Sequence, residues 1–212
     1  MMRILLADDH AIVRSGLHRI LADAFPSATI EETGSFHEIR EMIRESDWSL
    51  VVLDISLEDR NGLDLIPEIK ELRPNTPIIV LSMYGEMPFV VRALRAGVLA
   101  YLTKDRAPEE LLQAIQSVLQ GKRYLSEETA RQLADHVATR GSQSEVPHDQ
   151  LSAREYEVFL LLAAAHSVSE IAAQLGLSAK TISTYRVRIL EKMGLDSNLQ
   201  LIRYAVQHGL TQ

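Results

Sequence analysis

The chain has no cysteine, which excludes disulfides, thiolate nucleophiles and cysteine-ligated metals. It has no apolar run approaching the ~20 residues that a membrane span needs. The opening apolar stretch, residues 1–7, carries one positive charge and is cut by Asp8 and Asp9, too early for a signal-peptide core. A cytoplasmic protein with no membrane partner is expected. The first turn, Asp8-Asp9-His10, also lacks the glycine fingerprint of a dinucleotide site. What is present, 46% apolar and 24% charged residues in 212, suits a folded chain with room for one large or two ordinary domains.

The net charge of −7 argues at first against a nucleic-acid partner, but its distribution points the other way. Residues 1–120 hold 12 Lys+Arg and 19 Asp+Glu, so they carry the whole −7, while residues 148–212 hold 6 of each. Within that last segment Lys180, Arg186, Arg188 and Lys192 face only Glu191. Positive charge therefore gathers on one short stretch of a locally basic second half.

Short apolar runs at residues 4–7, 50–53, 78–81 and 98–102, with a weaker fifth at 28–33, read as strands buried on both faces. Between them lie segments of helical period: 12–22, 36–43, 63–72, a helix through Phe89 and Ala93, and 108–119. Gly97 and Gly121 stand where helix ends favour a left-handed residue, and Pro108 where a helix begins. Five strands alternating with five helices predict an α/β fold with a five-stranded, doubly wound parallel sheet over residues 1–120. Residues 121–147 read as a linker with a short helix beginning at Ser126; its polar Gly/Ser/Pro-containing end spans 139–147. Residues 148–212 read as a separate all-α domain of four helices. Ser152 and Glu155 form a capping box, Ser178 and Ser197 are caps, and Gly176 marks the turn of a helix-turn-helix.

In an open parallel sheet, ligands bind beyond the carboxyl ends of the strands. Asp8 and Asp9 follow the first strand, Asp54 the third, Ser82 the fourth and Lys104 the fifth, so all should converge at one edge. Any one of them alone reads as a turn cap or a solvated charge; the joint pattern carries the argument. Three carboxylates together need a cation, and an oxygen-rich shell suits Mg²⁺. An ionised aspartate can then attack a phosphoryl group, with Lys104 and Ser82 holding its oxygens. A phosphatase of the haloacid dehalogenase type needs a second carboxylate two residues after the nucleophile, where Ser56 stands. No turnover enzyme is expected.

The segments Ile4-Leu5-Leu6-Ala7-Asp8-Asp9-His10, Asp54-Ile55-Ser56-Leu57, Asn61-Gly62-Leu63-Asp64, Val80-Leu81-Ser82 and Ala96-Gly97 through Lys104-Asp105 resemble receiver domains of the NarL/FixJ family of response regulators, whose fold is flavodoxin-like. Leu151-Ser152-Ala153-Arg154-Glu155 and Glu170-Ile171-Ala172 through Tyr185 are similar to LuxR-type helix-turn-helix domains. The resemblance implies that Asp54 accepts a phosphoryl group from a sensor histidine kinase. It also implies that Asp9, Asp54 and the Ser56 carbonyl hold Mg²⁺ with Asp8 in support, and that Tyr101 turns inward when Ser82 moves. Two positions depart from the family pattern: Glu58 replaces a usual proline, and Ala165 replaces a usual glycine.

A helix entering the major groove needs small or polar residues on its leading face and cations on its flanks. Lys180, Thr181, Ser183, Thr184, Arg186, Arg188 and Lys192 supply these, while Ile182, Tyr185 and Ile189 recur at core spacing. Lys180 and Arg188 suit DNA phosphates, and Ser183, Thr184 and Arg186 suit base edges. The alternative is a solvated cationic face. A near-neutral domain binds double-stranded promoter DNA weakly as one copy, so a homodimer upon phosphorylation is expected, with Leu199, Ile202 and Val206 as candidate pairing positions.

Overall fold

The structure, a computed structural model, describes residues 1–57, 61–83, 87–140 and 146–210. It divides into two compact units, Met1–Gly141 and Ser142–Gln212. Glu58 and most of the polar stretch at 139–147 lie outside the described residues.

In the first unit the apolar runs become β1 (Arg3–Ala7), β3 (Leu50–Asp54), β4 (Ile78–Ser82) and β5 (Ala100–Thr103), and the weak fifth run becomes β2 (Thr29–Thr33). The intervening helices are α1 (Ala11–Ala24), α2 (Phe36–Glu45), α3 (Ile66–Leu72), α4 (Met87–Arg95) and α5 (Ala107–Leu119). Every strand pairing is parallel, in the order β2-β1-β3-β4-β5-β6. The expectation of five strands is corrected to six. The added β6 is the pair Tyr124–Leu125 beside β5, too short and too exposed to leave a periodic signal. It follows Gly121, whose φ of 73° ends α5.

Ile4, Leu6, Leu50, Val52, Ile79, Leu81, Ala100 and Leu102 pack under Leu17 and Leu21 of α1 and Leu111, Ala114, Ile115 and Val118 of α5. Leu5, Val51, Leu53, Ile39, Ile43, Ile66, Ile69 and Phe89 are buried as well. Polar alternation is absent from β1, β3 and β4 because neither face of these strands meets water. Residues 127–140, which read as linker with a short helix, form α6 (Glu127–Arg140), 14 residues long and in contact with α4. Of its expected apolar stripe, Leu133 is half-buried while Ala130 and Val137 are exposed.

The second unit holds a 3₁₀ turn (Pro147–Gln150), α7 (Ala153–Ala163), α8 (Val168–Gln174), α9 (Ala179–Met193) and α10 (Asn198–Gln207). Reciprocal capping boxes start α7 at Ser152/Glu155 and α8 at Ser167/Glu170; Ser178 and Ser197 cap α9 and α10. Tyr156, Phe159, Tyr204 and His148 cluster in its core, and His148 Nδ1 lies 2.6 Å from the Tyr204 hydroxyl. The buried His148 thereby ties the 3₁₀ turn to α10. Ala165, where the family has glycine, takes φ 64° and is the one non-glycine residue with positive φ among the described residues. The turn geometry is kept and the alanine bears the strain.

Candidate functional site

Strand register decides what meets at the carboxyl edge. Ala7 aligns with Leu53, Asp54 with Leu81, and Ser82 with Thr103. Hydrogen bonds from Ile55 N to Leu81 O and from Lys104 N to Ser82 O continue the ladder past the strand ends. Asp8, Asp54, Ser82 and Lys104 therefore arrive side by side, and all four are buried.

Lys104 Nζ lies 2.7 Å from Asp54 Oδ2 and 2.8 Å from Asp8 Oδ2. The other Asp54 oxygen, Oδ1, accepts from Ser56 N at 2.9 Å, and Asp8 Oδ1 accepts from His10 N at 2.8 Å. Burial pushes the Asp54 carboxyl up to about 7; Lys104 opposes that push and Asp8 adds to it. Burial would lower the Lys104 ammonium, but the Asp54 and Asp8 carboxylates outweigh it and raise it.

Asp8, Asp9, Asp54 and His10 each offer a ligand atom, and these atoms lie within 4.8 Å of one another. With all three carboxyls ionised, three carboxylates and one ammonium leave two negative charges. Asp9 Oδ1 is buried and receives no hydrogen bond, and Asp8 Oδ2 has only the Lys104 ammonium beside it, at 2.8 Å. This donor set fits a divalent cation. Ser56, named for its carbonyl, bridges to Asn61.

Two supporting residues are not among the site residues expected from the sequence. Arg14 donates from a terminal nitrogen to the Asp8 carbonyl at 2.5 Å and holds the Asp8-Asp9 turn in place; nothing in the helical period of α1 marks it. Gly62 packs on the end of β3 so closely that a Cβ there would sit 2.0 Å from the Asp54 carbonyl oxygen. The Asn61-Gly62 pair is its only sequence signal. Tyr101 is 1% exposed, and a cleft lined by it with Leu102, Thr103, Ser126, Thr129 and Gln132 separates β5 from the start of α6.

In the second unit, Gly176 at φ 64° turns α8 into α9. Ile182, Ile189 and Met193 are buried, and Tyr185 is half-buried rather than core. Lys180, Ser183, Thr184 and Arg188 are exposed together, and so is Val187 between them, which spacing alone leaves between faces. The Ser183 and Thr184 hydroxyls donate back to the carbonyls of Ala179 and Lys180, leaving oxygen lone pairs outward. Thr181 is half-buried, its hydroxyl 2.7 Å from that of Ser178. Two of the expected cations are engaged within the unit. Lys192 Nζ donates to Glu155 Oε2 at 2.6 Å, and Arg186 Nε donates to Asn198 Oδ1 at 2.6 Å. On α10, Leu199 and Val206 are exposed and Ile202 is half-buried.

Residues 4–116 match the response regulator receiver domain and residues 149–205 match the bacterial regulatory proteins of the LuxR family. The chain is 35% identical to the response regulator GacA of Pseudomonas aeruginosa over 99% of this chain and 98% of GacA. It is 33% identical to the response regulator UvrY of Escherichia coli over 99% and 96%. The RcsB–DNA complex is similar at 27% identity and a TM-score of 0.56, covering 97% of this chain and 98% of that one. RcsB of Salmonella enterica serovar Typhimurium, bound to a promoter in the presence of the phosphomimetic BeF3−, is similar at 28% identity and a TM-score of 0.60, covering 96% and 97%. With both halves matched in order over nearly its whole length, the chain belongs to the NarL/FixJ family of response regulators, which join a receiver domain to a LuxR-type helix-turn-helix domain.

Proposed function

We propose that a sensor histidine kinase phosphorylates this protein on Asp54, and that the phosphorylated form binds promoter DNA as a homodimer through α9 to regulate transcription in the cytoplasm. The observation that carries the reading is the buried Asp54 carboxylate, held between Lys104 Nζ and Ser56 N at the open edge of the sheet. An Asp54 oxygen attacks the phosphorus of a phosphohistidine, the donor's P–N bond breaks with its electron pair returning to the imidazole, and an acyl phosphate forms. Asp8, Asp9, Asp54 and the Ser56 carbonyl would hold Mg²⁺. That ion supplies the charge neutralisation that lets an anionic phosphoryl group approach three carboxylates. Lys104, freed from Asp54 Oδ2, follows the incoming phosphoryl oxygens, and the Ser82 hydroxyl binds another.

Phosphorylation adds about 1.5 to 2 negative charges at this edge. Ser82 moves toward them and the Tyr101 ring turns inward into the vacated space, away from the cleft it lines beside the start of α6. One charge-assisted hydrogen bond contributes about 1.5–3 kcal/mol, whereas a switch from mostly off to mostly on requires about 5.5 kcal/mol. Lys104, the cation and dimer contacts on α10 must supply the remainder.

On the DNA side, Lys180 and Arg188 neutralise phosphates while Ser183 and Thr184 face base edges. The first pair positions the helix on the duplex and the second reads its sequence, the usual division between the two kinds of contact. The similar RcsB is known in complex with DNA, which supports DNA as the partner of this unit. Thr181, Arg186 and Lys192 support the helix more than they read sequence.

The test is a phosphate-affinity gel after incubation with acetyl phosphate and Mg²⁺. The parent shifts; Asp54→Asn does not, and EDTA abolishes the shift in the parent. Full phosphorylation of Asp54→Asn would overturn the assignment.

A further inference from the structure

α9 carries one side chain that neither the core nor the charge pattern explains. Val187 is 49% exposed. A lone exposed apolar residue is ordinary on a protein surface, but this one stands in the middle of a polar face. At 3.6 residues per turn, it lies about 140–160° around the helix from the buried Ile182 and Ile189. On the exposed side it comes one turn after Ser183 and Thr184 and beside Arg188, with Lys180 two turns back. Valine is a weaker helix former than the straight-chain residues, so its place in this exposed row does not serve the helix. The Ser183 and Thr184 hydroxyls donate to the Ala179 and Lys180 carbonyls at 2.9 and 3.0 Å, so they present acceptor lone pairs outward. Such acceptors match the exocyclic amines of adenine and cytosine. Val187 offers neither donor nor acceptor.

We propose that Val187 selects thymine, its γ-methyl groups packing on the C5-methyl of that base in the major groove. The inference rests on reading α9 as the DNA-binding helix and adds the base that the valine reads. In the pattern that the four bases present in that groove, the thymine methyl is the apolar element among donors and acceptors. At 1.5 Å of rise per residue, Val187 lies about 4.5 Å along the axis from Thr184, close to the ~3.4 Å step between base pairs. It therefore meets the base pair next to those that the two hydroxyls face. A β-branched side chain is held to one rotamer in a helix, so little freedom is lost in fixing it against the methyl.

A selection from a randomised duplex pool, using the full chain phosphorylated with acetyl phosphate and Mg²⁺, supplies the site. Each thymine of the enriched duplex is then replaced in turn by deoxyuridine, which removes the methyl and keeps every hydrogen bond. Fluorescence anisotropy reads the affinity of the parent and of Val187→Ser, which lacks both γ-methyls. At one thymine per half-site the parent should lose about four-fold, the worth of one buried methyl-sized group, and on the order of ten-fold when both half-sites are replaced. Val187→Ser should bind the thymine and uracil duplexes within about two-fold of each other. Its thermal unfolding and its salt slope should match the parent's, because serine and valine are similar helix formers and neither is charged. An enriched site at which no thymine replacement weakens the parent would overturn the assignment of Val187, as would a full uracil penalty kept by Val187→Ser; both leave α9 as the DNA-binding helix. Enrichment of no sequence by the parent would overturn the DNA reading of α9 itself.

Discussion

The Asp54 carboxyl sets the behaviour of the site before any phosphoryl group arrives. Burial raises its value from 3.8 to about 7. Between those values the unfolded chain gives up its proton first, so stability falls as pH rises, and the loss is complete above about 7. Lys104 is raised above its ordinary value as well, so its contribution is likewise lost as pH rises, but only through the alkaline range above 10.5, outside this window. Such a rise corresponds to at most about 4 kcal/mol. In EDTA, urea unfolding should show Asp54→Asn gaining on the parent between about pH 4 and 7, and Mg²⁺ should narrow the gap. A difference that does not vary with pH would contradict the burial argument. Gly62 acts beside it through space alone. Gly62→Ala puts a Cβ 2.0 Å from the Asp54 carbonyl oxygen, and relieving such an overlap costs about 1–3 kcal/mol and moves the strand end. Lower thermal stability together with slower phosphorylation by acetyl phosphate is the expected outcome; parent-like values for both would mean that the loop yields freely.

At the scale of elements, the start of α7 joins two roles. Glu155 completes the capping box with Ser152 and binds Lys192 on α9. Burial pushes its carboxyl up, but Lys192 and Ser152 outweigh this and hold it below its ordinary 4.5. A carboxyl lowered in the folded state adds stability above 4.5 and loses it as pH falls through the folded value. Glu155→Gln should therefore destabilise the unit by about 1–3 kcal/mol near pH 7, with the difference from the parent shrinking below about pH 4. Guanidinium unfolding at the two pH values measures it. The pairing also shows why Lys192 reads as a DNA contact in the sequence. A cation near the end of a basic helix has no local mark of an acidic partner 37 residues earlier.

For the molecule as a whole, an acidic unit and a unit with an exposed cationic helix divide the work. The fragment 142–212 retains the 3₁₀ turn that His148 anchors, so it should fold and bind promoter DNA without the receiver. Two exposed α9 cations per copy that are not held by Glu155 or Asn198, Lys180 and Arg188, give about four phosphate contacts in a dimer, and log affinity should fall with log salt at a slope of about −4. Lys180→Ala should reduce that slope by about 2, while Lys192→Ala should leave it unchanged and lower stability instead. Filter-binding or anisotropy titrations across a salt series decide between these outcomes. An equal loss of slope for Lys192→Ala would return that lysine to the DNA surface.

The parallel sheet, the convergence of Asp8, Asp9, Asp54, Ser82 and Lys104, and the helix-turn-helix were legible in the sequence because each depends on local signals. Apolar runs without alternation mark doubly buried strands, and a polar residue just after such a run must lie at the carboxyl edge. Serine caps and left-handed glycines likewise announce helix ends within a few residues. The tertiary structure alone decided what depends on distant partners. A two-residue strand acquires hydrogen bonds only because β5 lies beside it. α6 meets α4 in the fold, a contact that no local period announces. The placement of Gly62 on the Asp54 carbonyl and of Arg186 and Lys192 on partners within the unit followed the same rule: pairing across the fold is set by packing, and packing is not written in the period of any one segment.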